Sequence, residues 1–273
     1  MTGVMASTVP DGTDKGDYET IDALLASMDR IEHSVLAADD PRRFFHNTYA
    51  RTTRAVRDEI LRGGFTDNAW VERWDVVFAG LYLRAFEQYE SSGAAVGPWQ
   101  VAFDRAKDTA LPPLRHVLLG MNAHINYDLP QALCAVITSA EFDDAALVTK
   151  RGEDHKHIDT VLAARVAAED AELKKLELPG QRTLLDKMLT PFNRLGTKKF
   201  LREARTKVWA NARTLDQARR QGPEAYATAL RDLEVLSRQR VIDLGQPGQI
   251  ILRLARQGFG VVLGPERPFG AES

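Results

Sequence analysis

Apolar residues along this chain recur at intervals of three and four, and nowhere does strict apolar–polar alternation last for the length of a strand. A helix-period stripe buries best against another such stripe, so the pattern restricts the fold to helices packed on helices. The punctuation agrees. "TIDALLASMDRIEHSVL" predicts a first helix; Asp40 and Pro41 open a second through "RRFFHNTYARTTRAVRDEIL", which Gly63 and Gly64 close. A third starts near Thr66 or Asp67 and stops at Gly93, and Pro98 opens a short fourth. Further helices are expected from Pro113, through "EDHKHIDTVLAARVAAEDAELKKLE", on both sides of "TPFNRLGT", and from Pro223. The expectation is one all-α domain of about nine or ten helices over residues 18–264, between a disordered segment 1–17 and a tail 265–273.

With 44% apolar residues in 273 positions the chain can bury a sizeable core. Its single cysteine, Cys134, excludes an internal disulfide framework and a Cys-rich zinc site. A reducing compartment follows, and the absence of a signal-like start makes the cytoplasm the expected location. No apolar run is long enough to span a bilayer. The net charge of −2 hides a basic region: residues 181–220 carry eleven Lys or Arg against three Asp or Glu, a local net of +8. Such a stripe reads first as a solvated helix face and otherwise as a surface for an anionic partner. It has no aromatic interleaving of the kind used for stacking bases, so nucleic acid is not an expected partner.

The stretch "LLGMNAHINYDLPQAL", residues 118–133, breaks the apolar pattern. On a helical wheel over residues 114–128 the apolar stripe is Leu114, Val117, Leu118, Met121 and Ile125; Asp128 falls inside it, His124 on one edge, Asn122 on the other, and His116 points back toward solvent. An aspartate facing a core costs several kcal/mol unless it is hydrogen-bonded, paired or on a metal, so something must satisfy Asp128. One solution is local. Pro130 breaks the helix, Asp128 becomes the N-cap of the next, and Gln131 completes a capping box. That leaves His124, Asn122 and Asn126 unexplained.

The other solution is a site. His155 lies on the apolar face of its own helix with Asp159 at the edge, so His124/Asp128 and His155/Asp159 form two His-x-x-x-Asp pairs turned toward the core, and Asp75 joins them from the arc of Val71, Tyr82 and Phe86. Helical bundles build interior metal centres from such pairs, and imidazole with carboxylate suits iron, manganese or zinc. The same residues also make a metal-free hydrogen-bond network. His46, with Tyr49, Thr52 and Thr53 nearby, is a further ligand, a general base or a packing histidine. Cys134, between Leu133 and Ala135, reads as a small core residue.

"LLGMNAHINYDL", "TYARTTRAV", "GGFTDNAWVERWDVVFAGLYLRAF", "HIDTVL" and "EARTKVWANA" together resemble a bacterial family of helical proteins known only as a domain of unknown function, over roughly residues 40–220. The most specific segment is "GMNAHINYDL", and the resemblance brings no substrate or mechanism. Neither an aspartate-rich cyclase motif nor the Glu-x-x-His of ferritin-like di-iron proteins is present in its required form. The leading expectation is a metal-dependent enzyme acting on a small organic molecule between helices. His124, Asp128, His155, Asp159 and Asp75 would hold the metal, and Tyr82, Asn122, Asn126 and His46 would contact the ligand. The alternatives are a metal-free cyclase or apolar-ligand binding protein, and an interaction module using the basic helices. Oligomeric state is not legible.

Overall fold

The computed structural model describes residues 9–13, 16–37, 39–108, 110–175, 197–246 and 258–264. All regular structure among them is helical: α1 (Ile21–Ser34), α2 (Arg42–Leu61), α3 (Asn68–Ser92), α4 (Gly97–Arg105), α5 (Pro113–Ala123), a π turn (His124–Asp128), α6 (Leu129–Val136), α7 (Ser139–Asp143), α8 (Ala145–Lys175), α9 (Thr197–Gln221) and α10 (Pro223–Gly245). Residues 1–8 and 265–273, and the first of the two basic helices expected around "TPFNRLGT", lie outside the described residues. Among the described residues no helix is long and apolar enough to cross a membrane.

Side chains set the helix starts. Thr20 accepts from Ala23 N ahead of α1, Asp67 accepts from Trp70 N ahead of α3, and Thr138 with Glu141 forms a reciprocal capping box ahead of α7. Asp154 of α8 accepts from Thr66 N and Asp67 N, so α8 docks on the start of α3. α1 packs on α2 and α3, α2 also on α5 and α8, α3 on α6, and α9 on α6 and α10, while α10 covers α4 and α5. Two apolar clusters result. One holds Phe45, Tyr49, Tyr82, Phe86, Trp99 and Leu119; the other holds Trp70, Trp74, Leu133, Leu215 and Leu233.

The buried guanidinium of Arg219 pins α6 by donating to Cys134 O at 2.6 Å and Ile137 O at 2.7 Å, its charge balanced by Asp216 at 2.6 Å. Among the described residues, four cations of the basic stripe are paired within the molecule, Arg219 being one. Arg205 pairs with Asp159, Lys207 with Glu203, and Arg220 with Asp143 and Asp216. Residues 9–13 lie against the helices: Pro10 O accepts from Arg219, and Gly12 is buried at φ +90°. A Cβ there would sit 2.2 Å from Thr138 N, so both the backbone angle and the space call for glycine.

Candidate functional site

The interrupted stretch does not break. At Asp128 the backbone stays right-handed helical (φ −78°, ψ −39°) and the side chain makes no cap hydrogen bond. The expected capping box is therefore absent, and Gln131 donates to Tyr127 O instead. The chain passes Pro130 by widening one turn: Leu129 N–H bonds to His124 O, five residues back. Pro130 then stands at the second position of α6, where a missing N–H costs little and the widened turn relieves the ring's clash with the preceding carbonyls. Such π turns are uncommon and recur at functional sites.

With its backbone satisfied in this way, Asp128 has a free carboxylate. His124 Nδ1 lies 2.7 Å from Asp128 Oδ2, and Trp99 Nε1 of α4 donates to the same oxygen at 2.8 Å. Indole is a donor only, which makes Oδ2 an acceptor; with the carboxylate ionised, His124 donates from Nδ1 and its Nε2 carries the lone pair. His124 Nε2 is buried and has no hydrogen-bond partner in the protein. The imidazole is caged by rings. Phe78 stacks on it with centroids 3.6 Å apart and planes 5° from parallel, and Tyr49 meets it edge-on at 4.5 Å. Phe45, Tyr82 and Trp99 stand about one ring further out. Gly120 makes room for this arrangement, since a Cβ at that position would lie 2.4 Å from the Phe45 ring.

Asp75 Oδ2 on α3 is also buried without a protein partner, and Tyr49 Oη and Thr53 Oγ1, one turn apart on α2, have only each other as a polar neighbour. Burial, then the nearby Glu72 charge, pushes Asp75 up to about 7, so it holds a proton close to neutral pH. Burial also holds His124 below the ordinary histidine range, partly offset by its bond to Asp128, and drives Asp128 upward. Tyr49 is raised by burial and by the Asp75 and Asp128 carboxyl groups, which places its hydroxyl within reach of both acids' fields. Burial thus biases the imidazole, Tyr49 and Asp75 toward their uncharged forms, while at Asp128 the His124 and Trp99 donors oppose it and favour the carboxylate.

The other residues expected at the site are distributed differently. His46 is fully engaged: Nε2–H donates to Met28 O and Nδ1 accepts from Tyr82 Oη, both at 2.9 Å, so His46 orients Tyr82 and has no free nitrogen. His155 Nδ1 accepts from Trp209 Nε1 at 3.0 Å, with Trp74 edge-on at 5.0 Å; burial, then the charge of Arg205, holds its pKa down at about 3. Asp159, the second member of that pair, is half-buried and bonded to Arg205. Asn122 and Asn126 both donate to Phe259 O in the segment 258–264. His116, expected on the surface, is 6% exposed and stacked on Phe44. Cys134 is buried, donates to Ala212 O, and is pushed up to about 12 by burial, as an inert core thiol should be.

Among the described residues no group of three or more His, Cys, Asp or Glu side chains is arranged to hold a metal. His124 Nε2 and Asp75 Oδ2 are among the buried ligand-type atoms without a protein partner.

Residues 21–244 match the sequence model of a family of unknown function, DUF5995. The chain belongs to the DUF5995 family. No curated protein and no solved structure matches it. In this DUF5995 chain the match takes in every residue of the aromatic cage and ends before the 258–264 segment. Sequence reasoning missed Phe78 and Trp99. The available signal for Trp99 was general: a tryptophan in a short helix opened by Pro98 buries its ring readily, and a buried indole N–H needs an acceptor.

Proposed function

We propose that the chain is an acid–base enzyme for a small, uncharged, largely apolar organic molecule bound among α2, α3, α4 and the π turn, with His124 transferring the proton. The observation that carries this reading is the asymmetry of one imidazole. Nδ1 is held by Asp128, whereas Nε2 is buried and unpartnered. A buried polar atom left unpaired costs about 1–3 kcal/mol, and the same holds for Asp75 Oδ2, while Tyr49 Oη and Thr53 Oγ1 have only each other. A ligand bearing a carbonyl or hydroxyl oxygen would satisfy several of them at once. Asp128 is the orienting residue, fixing tautomer and ring plane as a carboxylate does behind a catalytic histidine. Asp75, protonated near neutral pH, and Tyr49 supply donors to the ligand's oxygen. The aromatic faces accept the apolar body, and the bias of the surrounding groups toward neutrality disfavours a charged one.

A metal-dependent form of the same reading uses the same open atoms, with His124 Nε2 and Asp75 binding iron, manganese or zinc. His155 and Asp159 do not add to that set, because their polar contacts are with Trp209 and Arg205.

Thermal denaturation with small probes tests the proposal. Phenol and cyclohexanone should raise the melting temperature of the wild-type chain, benzoate and tetramethylammonium should not, and His124→Leu should abolish the effect. Equal stabilisation by benzoate, retained in His124→Leu, would overturn it. A stoichiometric transition metal in protein purified without chelator, lost in His124→Ala, would select the metal-dependent form.

A further inference from the structure

Side-chain amides hold the segment 258–264 much as a neighbouring strand would. Asn122 Nδ2 and Asn126 Nδ2 converge on Phe259 O at 3.0 and 3.1 Å, and Asn126 Oδ1 accepts from Val261 N at 3.2 Å. Asn211 of α9 repeats the pattern, donating to Val261 O at 2.9 Å and accepting from Leu263 N at 2.8 Å. Glu203 Oε2 accepts from Phe259 N, and Lys207 Nζ donates to Gly260 O. Phe259, Val261 and Leu263 are buried.

Apolar packing alone could seat three such side chains. Two asparagines that each use both ends of the amide fix position along the segment as well, because donor and acceptor must face opposite backbone groups.

The placement of two of these amides matters most. Asn122 precedes the π turn and Asn126 lies inside it, yet both reach one carbonyl oxygen. Residues four apart share one helix face, so the two amides straddle the start of the wide turn and tie it to that single oxygen. His124 and Asp128 project from the same turn toward α3 and α4.

We propose that the segment 258–264 is a positioning strap for the His124–Asp128 pair, bracing the π turn from behind through Asn122 and Asn126, so that releasing the strap uncouples the imidazole from its carboxylate. This rests on the reading of that pair as the acid–base centre, and it assigns Asn122, Asn126 and Asn211 as positioning residues.

The test uses the full chain with Asn211→Ala, which acts on the strap from α9 and does not touch the π turn. Two exchange rates are read by NMR: the backbone amides of residues 258–264, and the His124 Nδ1–H proton. The strap amides should exchange about tenfold faster in the variant, as expected for the loss of a pair of buried hydrogen bonds, and His124 Nδ1–H should accelerate by a similar factor. Faster strap exchange with an unchanged His124 proton would overturn the proposal. The wild-type chain in sub-denaturing urea provides a second measurement should the variant fold poorly. There the strap amides and His124 Nδ1–H should share one urea dependence, and a different dependence for His124 would also overturn it. Neither readout involves probe binding or turnover, so the strap can fail while phenol binding survives, and the converse.

Discussion

His124 Nδ1 and Asp128 Oδ2 stand 2.7 Å apart on a turn that is one residue wider than an α-helical turn, and Trp99 Nε1 reaches the same oxygen at 2.8 Å. One carboxylate oxygen thus carries two donors in a site with almost no solvent contact. The wide turn is what lets Asp128 serve a side chain instead of a backbone N–H.

Removing the indole donor should strengthen the remaining bond. Trp99→Phe keeps most of the ring packing but leaves Asp128 with His124 alone, so the apparent pKa of His124 should rise relative to wild type. The lost bond to a charged acceptor should cost about 1.5–3 kcal/mol of stability. A histidine NMR titration and urea denaturation read the two effects. An unchanged His124 titration would mean that Trp99 only fills space.

Asp75 predicts a pH dependence of definite sign. Its folded pKa of about 7 lies above the ordinary carboxylate value of 3.8, so between those limits the native state binds the extra proton and stability falls as pH rises. His155 works in the opposite direction, since a folded value of about 3 means that the unfolded state binds the extra proton up to pH 6.5. The difference between wild type and Asp75→Asn isolates the first effect: the variant should gain on wild type by a few kcal/mol between pH 4 and pH 7. Urea midpoints across that range measure it. Parallel curves would show that Asp75 titrates normally.

The helical class was legible because periodicity and capping residues act locally, and Asp67, Thr20 and Pro113 lie where helix starts were read. The wheel also placed Asp128 and His124 toward the interior. It could not show the π turn, because a wheel assumes 100° at every step and Pro130 is accommodated by changing that step. The second His–Asp pair fared differently for a related reason. His155 and Asp159 do share one stretch of α8, but their partners are Trp209 and Arg205 on α9, over forty positions away and beyond the reach of local periodicity. Asn122 and Asn126 were rightly singled out as odd in a core helix, but their partner is backbone, which leaves no mark in a sequence pattern.

The two pairs keep separate polar partners, which predicts independent titration. His155→Leu strands the Trp209 N–H and should cost about 1–3 kcal/mol, while the titration of His124 stays as in wild type. A shift in the His124 titration would indicate that the two histidines share a ligand or a network.

Gly120→Ala should destabilise the chain by about 1–3 kcal/mol, because the added methyl lands on the Phe45 ring and α2 and α5 must move apart. It should also weaken binding of phenol, since Phe45 forms part of the cage. Chemical denaturation and probe titration check the pair of effects, and unaltered stability would show that the ring rotates away freely.

The acid–base proposal requires His124 to present an unprotonated, uncoordinated Nε2 to the interior. A two-bond proton–nitrogen NMR spectrum of the histidine side chains at neutral pH tests it most directly. His124 should show a protonated Nδ1 in a strong hydrogen bond and a bare Nε2 whose signal moves when phenol is added. A protonated Nε2, or an Nε2 signal that reports bound metal and returns to the bare value after chelation, would contradict it.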